Sequence, residues 1–460
     1  MITRELIPLS RREPVLFILS RLIDIGDDPR NSKLCLTTRE KLLSRFSGQD
    51  LERFKYAAFS YCWGPPEVAA TQTKTKRHSL ADMMSGIPFH SCSKVIQDLI
   101  TVARFLQLRF LWVDAVCIIQ DDQADWETEA LSMGDIYRHA FLTICPIASQ
   151  TCQQGFLART TETLNTSFKS SIADDIEGIY TLRHRGIRSP NKDTWWPLRI
   201  DLDLATWDRR GWTFQELSLS TRLIMFGQSK IHFLRSSKVV SEGGDEYDGC
   251  GIDVDIGEVL VEPHGQKWHE KWRRDVASEY SERELTRRTD KLPALSGLAR
   301  SAAVRNICDY LAGLWKDDLL AGLLWECVSR NNVVTTAKFS LLDSFDSPGS
   351  YIAPSWSWAS RDTFAHFGQK DFDTGYTEGF RDFRPEYTTL DAWTTPPALN
   401  PFGEVSNGHL RISGPVCSLP SNLSLMEDKD MIQKRWRASV RGQCIAYCSL
   451  DWTLDLRVNV

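Results

Sequence analysis

The stretch Phe110-Leu-Trp-Val-Asp-Ala-Val-Cys-Ile-Ile119 is apolar on both alternations, broken only by Asp114. Such a segment must be covered on both faces, which is the habit of a central strand in a parallel sheet. Its neighbours agree. Phe54-Lys-Tyr-Ala-Ala-Phe-Ser-Tyr-Cys-Trp63 is a strand-like aromatic run halted by Gly64-Pro65-Pro66. A polar, Thr- and Lys-rich loop runs to His78, after which Ser93 offers a cap for a helix with Ile96, Leu99, Ala103 and Leu106 on one face. Asp121, Asp122 and Asp125 place negative charge at the start of a second helix through Ala140, and Phe141–Pro146 is a third strand. Strand, helix, strand, helix, strand predicts a doubly wound α/β core with a parallel sheet.

Around this core, residues 1–50 read as a lead-in with one strand near Lys33–Leu36. The core region spans 51–235 and includes a tight aromatic turn at Trp207–Glu216 and a strand at Arg222–Phe226. Residues 236–265 are rich in Gly and acids and read as a surface loop. Residues 266–460 read as helical to about 330 and then irregular and β-rich, around Ala353–Trp358 and Leu410–Leu456, an α+β C-terminal region packed on the core.

The bulk composition excludes several classes. With 42% hydrophobic and 25% charged residues among 460, the chain can build a sizeable core. A net charge of −5 argues against nucleic acid or an anionic membrane surface as partner. The apolar run Val15–Leu19 is too short for a signal-peptide core and sits between Arg12, Glu13 and Arg21. No stretch approaches the ~20 apolar residues of a membrane span, so a cytoplasmic (or nuclear) protein is expected. The 12 cysteines include no CxxC pair, and Cys62, Cys117, Cys145 and Cys327 lie in apolar runs as buried free thiols would. No metal site is expected. The 16 tryptophans, with clusters at Trp195-Trp196, Trp207/Trp212, Trp268/Trp272 and Trp356/Trp358, either stack on a base or sugar or fill wide gaps between layers; filling is the expectation for most. No Gly-rich phosphate loop, GxSxG elbow or HExxH pair occurs, which removes ATP hydrolysis, ordinary dinucleotide redox, serine hydrolysis and zincin chemistry.

Four blocks carry a resemblance. Ser60-Tyr-Cys-Trp-Gly64, Leu111-Trp-Val-Asp-Ala-Val-Cys-Ile-Ile-Gln120, Met133-Gly-Asp-Ile-Tyr137 and Arg210-Gly-Trp-Thr-Phe-Gln-Glu216 stand in the order of the signature blocks of the heterokaryon-incompatibility (HET) domain, which this chain resembles. Asp290–Gly297, Tyr310–Trp315, Leu323–Trp325 and Pro354–Trp358 are also similar to segments of fungal HET proteins. The resemblance implies a stand-alone member acting in fungal non-self recognition and programmed cell death. HET domains are in turn distantly similar to TIR domains, which implies a TIR-like or flavodoxin-like core. Some TIR enzymes cleave NAD at the nicotinamide–ribose bond, and on that similarity the helix after Asp114 would carry the catalytic Glu. Trp126 precedes Glu129 by three residues, near the TIR pattern but not identical to it.

The helix geometry gives Glu129 its own interest. At 100° per residue Trp126, Ala130, Met133, Ile136, Tyr137 and Ala140 form an apolar stripe, and Glu129 falls inside it. A carboxylate there is costly unless it is paired or lines a cleft. It is either an ion-pair partner of a buried arginine, such as Arg210 or Arg222, or a catalytic carboxylate that stabilises oxocarbenium-like charge. Asp114 lies towards the carboxyl end of its strand, where ligands of open α/β sheets bind, and Asp121 and Asp122 either join that rim or cap the helix. Ser60, Tyr61 and Trp63 would emerge on the same side, with Trp63 stacking on a ring or plugging the sheet end. Gly64, Cys117, Trp126, Tyr137, Trp212, Gln215 and Glu216 complete the candidate substrate-binding set, Cys117 being better read as a buried thiol. The functions in contention are an NAD glycohydrolase needing no cofactor beyond NAD as substrate, a signalling module that acts by homo-oligomeric assembly, and an enzyme of small-molecule metabolism on the same fold.

Overall fold

The computed structural model describes residues 17, 19–27, 33–46, 54–158, 163–172, 175–183, 197–235, 238–248, 265–304, 308–328, 351–367, 388–397, 400–414, 423–428, 435–440 and 443–448. Trp195-Trp196, most of the run Val15–Leu19 and the expected loop beyond 248 lie outside them. The chain divides into two compact units, one from residues 1–207 and 220–247 and one from 208–219 and 248–460.

The first unit is organised by β1 (Arg21–Asp24), β2 (Cys35–Thr38), β3 (Tyr56–Phe59), β4 (Phe110–Trp112), β5 (Leu142–Cys145), β6 (Thr163–Lys169), β7 (Glu177–Arg183), β8 (Arg222–Phe226), β9 (Ile231–Arg235), β10 (Lys238–Ser241) and β11 (Asp245–Asp248). Nine of them form one sheet in the order β11-β10-β9-β8-β5-β3-β4-β1-β2, while β6 and β7 pair separately. The centre, β8-β5-β3-β4, is parallel. Every residue of β3, β4 and β5 is buried, as strands covered on both faces require. Both margins are antiparallel: β1 runs against β4 and β2, and β8, β9 and β10 form a meander.

Three expectations therefore change. The sheet is mixed rather than wholly parallel, because the chain after β8 returns through short turns that allow only antiparallel neighbours. The lead-in contributes two strands of the sheet, and the expected surface loop contributes β10 and β11. The strand expected over 110–119 stops at Trp112.

Helices α1 (Lys94–Phe105), α2 (Asp114–Cys117) and α3 (Gln123–His139) fill the connections. In α1 the buried face is Val95, Ile96, Leu99, Ile100, Val102 and Ala103. Asp98 is buried with them, held by Lys94 Nζ at 2.8 Å and by the Phe156 and Leu157 amides at 2.8 and 3.2 Å. The run after Trp112 turns into α2 because Asp114 offers the backbone a local partner: its Oδ1 accepts the Ala115 amide at 2.7 Å, and the Cys117 amide reaches back to Val113 O at 2.7 Å. Ala115, Val116 and Cys117 are buried all round, so a short sealed helix produces the same apolar pattern as a central strand. Helix α3 is fastened to β3 by Tyr56 Oη donating to Ile136 O at 2.5 Å and Tyr137 Oη donating to Phe59 O at 3.1 Å.

In the second unit the expected aromatic turn after Trp207 is helical: Thr206–Arg209 is followed by α4 (Gly211–Leu219), which packs on α5 (Pro293–Ala303). The Gly297 amide donates to Gln215 Oε1 at 2.9 Å across that pair. Gly211 allows a separate close approach, of the segment before α5, since a Cβ there would lie 2.5 Å from Leu285 Cδ2. Trp268, Trp272, Trp315 and Trp358 are fully buried, and the Trp272 and Trp358 indoles both donate to Gly313 O at 3.1 Å. These tryptophans are core, as density of packing requires. The later strands form the antiparallel hairpin Thr388–Thr395 with Asn407–Ser413 and a three-stranded antiparallel sheet from Leu423–Asp428, Arg435–Val440 and Gln443–Cys448.

Gly64, directly after the first aromatic block, has φ +85°, and a Cβ there would meet Thr151 Cγ2 at 2.7 Å. Gly64→Ala therefore combines left-handed strain with a clash, and urea unfolding of the variant should show a loss of about 1–3 kcal/mol.

Candidate functional site

Most of the candidate residues of the first unit fall into a sealed set and a rim, while Trp212, Gln215 and Glu216 lie in the second unit. The sealed set is built on Arg21, the first residue of β1. Its Nε donates to Cys117 O at 2.6 Å, and its Nη2 donates to Asp125 Oδ1 and Oδ2 at 2.6 Å and to Glu129 Oε1 at 3.4 Å. Asp125 also accepts the Ile119 amide at 2.8 Å. Glu129 is 2% exposed. Burial pushes its carboxyl above the usual carboxylate range, against the pull of a Ser20 hydrogen bond and the Arg21 charge. The expected pairing of Glu129 with Arg210 or Arg222 is corrected: its partner is Arg21, because β1 passes beside α2 and α3.

Cys117 is sealed in the same place. Its thiol is pushed up to about 12 by burial, which leaves it un-ionised at neutral pH and without nucleophilic character. The described cysteines Cys35, Cys62, Cys92, Cys117, Cys145, Cys152 and Cys308 are all free thiols. Tyr137 is buried between β3 and Trp112, whose ring it meets edge-on at 5.7 Å. Trp126 is half-buried, one turn before Glu129 on α3.

The rim lies past the carboxyl ends of β3 and β4. Trp63 Nε1 donates to Asp114 Oδ2 at 2.9 Å, and both side chains are half-buried. Lys74 Nζ sits 4.7 Å from the Trp63 ring centre, a cation–π contact, and desolvation lowers the lysine's pKa. Behind the rim Ser60 is buried with Oγ accepting from Trp207 Nε1 at 2.8 Å, and Tyr61 is stacked on Phe59 at 4.7 Å with Oη donating to Gln72 Oε1 at 2.7 Å. Ser60 and Tyr61 are thus support, and Trp63 is what they present.

Asp121 and Asp122 are engaged otherwise. Asp121 Oδ1 accepts the Arg77 amide at 2.8 Å, while Asp122 caps α3 by accepting the Ala124 and Asp125 amides at 3.1 and 3.3 Å. The Arg77 side chain also bonds Asp122 and lowers its pKa. Trp212, Gln215 and Glu216 belong to the second unit. Trp212 Nε1 donates to Asp290 Oδ2 at 3.1 Å, and Gln215 and Glu216 are buried on α4. Sequence reasoning missed Arg21, Lys74 and Arg77. A lone arginine beginning the apolar stretch Arg21-Leu-Ile-Asp24 was the one available signal.

Among the described residues no group of three or more His, Cys, Asp or Glu side chains could hold a metal ion, and no helix is long and apolar enough to cross a membrane.

The Arg21 cluster yields a stability prediction. Arg21→Met leaves two carboxylates unpaired beside α3 and should cost about 3–5 kcal/mol, whereas Glu129→Gln, with Asp125 still holding Arg21, should change stability by less than about 1 kcal/mol near neutral pH. The raised carboxyl pKa fixes the sign: folded protein holds the Glu129 proton more tightly than unfolded protein. Its contribution is complete below the ordinary Glu pKa of about 4.3 and is lost as pH rises through the elevated folded value. Wild-type stability measured relative to Glu129→Gln by urea unfolding should therefore fall across that window and then level off.

Residues 56–216 match the family model described as heterokaryon incompatibility protein (HET), from the first residue of β3 into α4. Neither a curated protein nor a solved structure matches the chain. The four blocks quoted from the sequence all fall within the matched span, and the chain therefore carries a HET domain at residues 56–216.

Proposed function

We propose that this HET-domain protein acts in fungal non-self recognition and cell death as a signalling module, with Glu129 serving the fold rather than a reaction. The observation that carries this reading is the burial of Glu129 at 2% exposure against Arg21, with Ser20 as a further partner. A carboxylate that stabilises an oxocarbenium-like centre must face the sugar. Here the nearest cation is the protein's own, and it is shared with Asp125.

A second reading keeps nucleotide chemistry and moves it to the rim. The parallel strands, numbered along the chain from β3, lie in the spatial order 2-1-3-4. That is the order of flavodoxin-like sheets, whose ligands bind beyond the carboxyl ends where strand order reverses. TIR-like ancestry is in keeping with it. Ser60–Gly64 follows β3 and Asp114 follows β4, so the half-buried Trp63 ring and the Asp114 carboxylate occupy a suitable place for an aromatic base and a ribose hydroxyl.

Purified protein incubated with NAD, followed by chromatography for nicotinamide, separates the readings. The signalling reading expects no turnover by wild type, Glu129→Gln or Asp114→Asn, and growth arrest in a fungal host undiminished by Glu129→Gln at equal protein level. Nicotinamide release lost in Asp114→Asn but retained in Glu129→Gln would instead establish the rim. Release lost in Glu129→Gln would overturn the structural role of that residue.

A further inference from the structure

The amino-terminal ends of the central strands gather three cations. Lys55 directly precedes β3, Phe141 directly precedes β5, and Arg222 opens β8. Strand β9 returns to the same end, where its last residue, Arg235, is the ladder partner of Arg222. Side chains so opposed stand on one face of the sheet with Cβ atoms about 4.5–5.5 Å apart, and like charges there repel. Lys238 of β10 is in turn opposite Arg235, but its Nζ has a carboxylate, Glu246 Oε1, at 3.6 Å.

The Phe141 ring draws two of these cations together. Lys55 Nζ lies 4.4 Å from its centre and the Arg222 guanidinium carbon 5.2 Å from it. The two charges are therefore closer than the ~10 Å screening length of 0.1 M salt. Cation–π contact orders both side chains and leaves their charge in place. Arg222 Nη1 donates to Phe141 O at 3.2 Å, and its Nε is buried without a hydrogen-bond partner. Among the described residues neither Lys55 nor Arg222 has a carboxylate partner. Burial, and then the charge of Arg235, lower the Arg222 pKa, as expected of a cation short of a counter-ion. Lys55 is exposed, and Phe141, Arg222 and Arg235 are half-buried, so the group is open to solvent.

An anion bound between facing arginines removes a repulsion that the fold otherwise retains. A guanidinium presents a planar fork matched to phosphate oxygens, and an ammonium adds a point charge. Arg222 and Arg235 suit one phosphate, and Lys55 suits a second. Nucleic acid calls for a longer basic stripe than three cations on a chain of net charge −5.

We propose that Lys55, Arg222 and Arg235 form a binding site for a small ligand bearing two or more clustered phosphates, either free in solution or as a lipid headgroup. The site stands at the opposite strand ends from the Trp63–Asp114 rim, and the proposal holds whichever reading of the rim and of Glu129 is right.

Two binding assays on the full chain test it: calorimetric titration with tripolyphosphate, and co-sedimentation with phosphatidylcholine vesicles bearing phosphatidylinositol bisphosphate. Binding to tripolyphosphate supports the site with a soluble ligand, and binding to the vesicles alone supports it with a headgroup. Arg222→Gln and Lys55→Gln should each weaken the interaction about tenfold or more. Lys74→Gln, at the rim, should leave it unchanged. Lys55 is exposed, so its variant keeps the test valid even where Arg222→Gln unfolds the protein. The proposal is overturned when neither probe binds, when Lys55→Gln binds like wild type, or when Lys74→Gln is the variant that loses binding. Equal binding to phosphatidylserine vesicles of matched charge also overturns it, since general attraction then accounts for the result.

Discussion

The arginine at the start of β1 is the interaction on which the first unit depends. One guanidinium closes the end of α2 through Cys117 O, satisfies Asp125 in the first turn of α3 and compensates Glu129 one turn later. An ionised carboxylate buried without such a partner costs several kcal/mol, so β1 stabilises α3 on the sheet with Asp125 and Glu129 turned to Arg21. The antiparallel margin of the sheet is thereby tied to the helix that covers its parallel centre. The four residues of β1 thus contribute both their ladders to β2 and β4 and the charge that Arg21 delivers.

That arrangement also divides the acidic residues of the HET domain by task. Asp122 caps α3, Asp125 and Glu129 hold Arg21, and Asp98 ties α1 to the Phe156 and Leu157 amides. Asp114 differs, since it meets Trp63 in a half-buried rim past the strand ends. Its neighbours Ser60 and Tyr61 are locked by Trp207, Gln72 and Phe59, so the indole is presented on a rigid base. Rigid presentation of an aromatic beside a carboxylate suits recognition of a flat, hydroxyl-bearing molecule, whether that molecule is consumed or only sensed.

The sequence made the periodic parts of this structure legible. The inward position of Glu129 followed from its place among Trp126, Ala130 and Met133, because helical spacing is a local property. Its partner did not follow: Arg21 lies more than a hundred residues away and reaches α3 only through the sheet. Burial on both alternations at Phe110–Ile119 was read correctly as sealing and incorrectly as one strand, since a short helix buried on all sides gives the same pattern. The four blocks located the HET domain, and of Asp121 and Asp122, read alike as rim or cap, it is Asp122 that caps α3. Trp207–Glu216 looked like a turn because helical propensity is weak in so aromatic a segment, and packing of α4 on α5 decides its form.

The proposed structural role of Glu129 requires its carboxyl to stay enclosed with Arg21, away from any nucleotide. Carbon-13 NMR titration of that carboxyl, assigned by its absence in Glu129→Gln, measures this directly with and without saturating NAD. The expected result is a midpoint above the usual carboxylate range that NAD leaves unmoved. A midpoint in the ordinary range, or one displaced by NAD, would place the carboxyl in contact with solvent or nucleotide and contradict it.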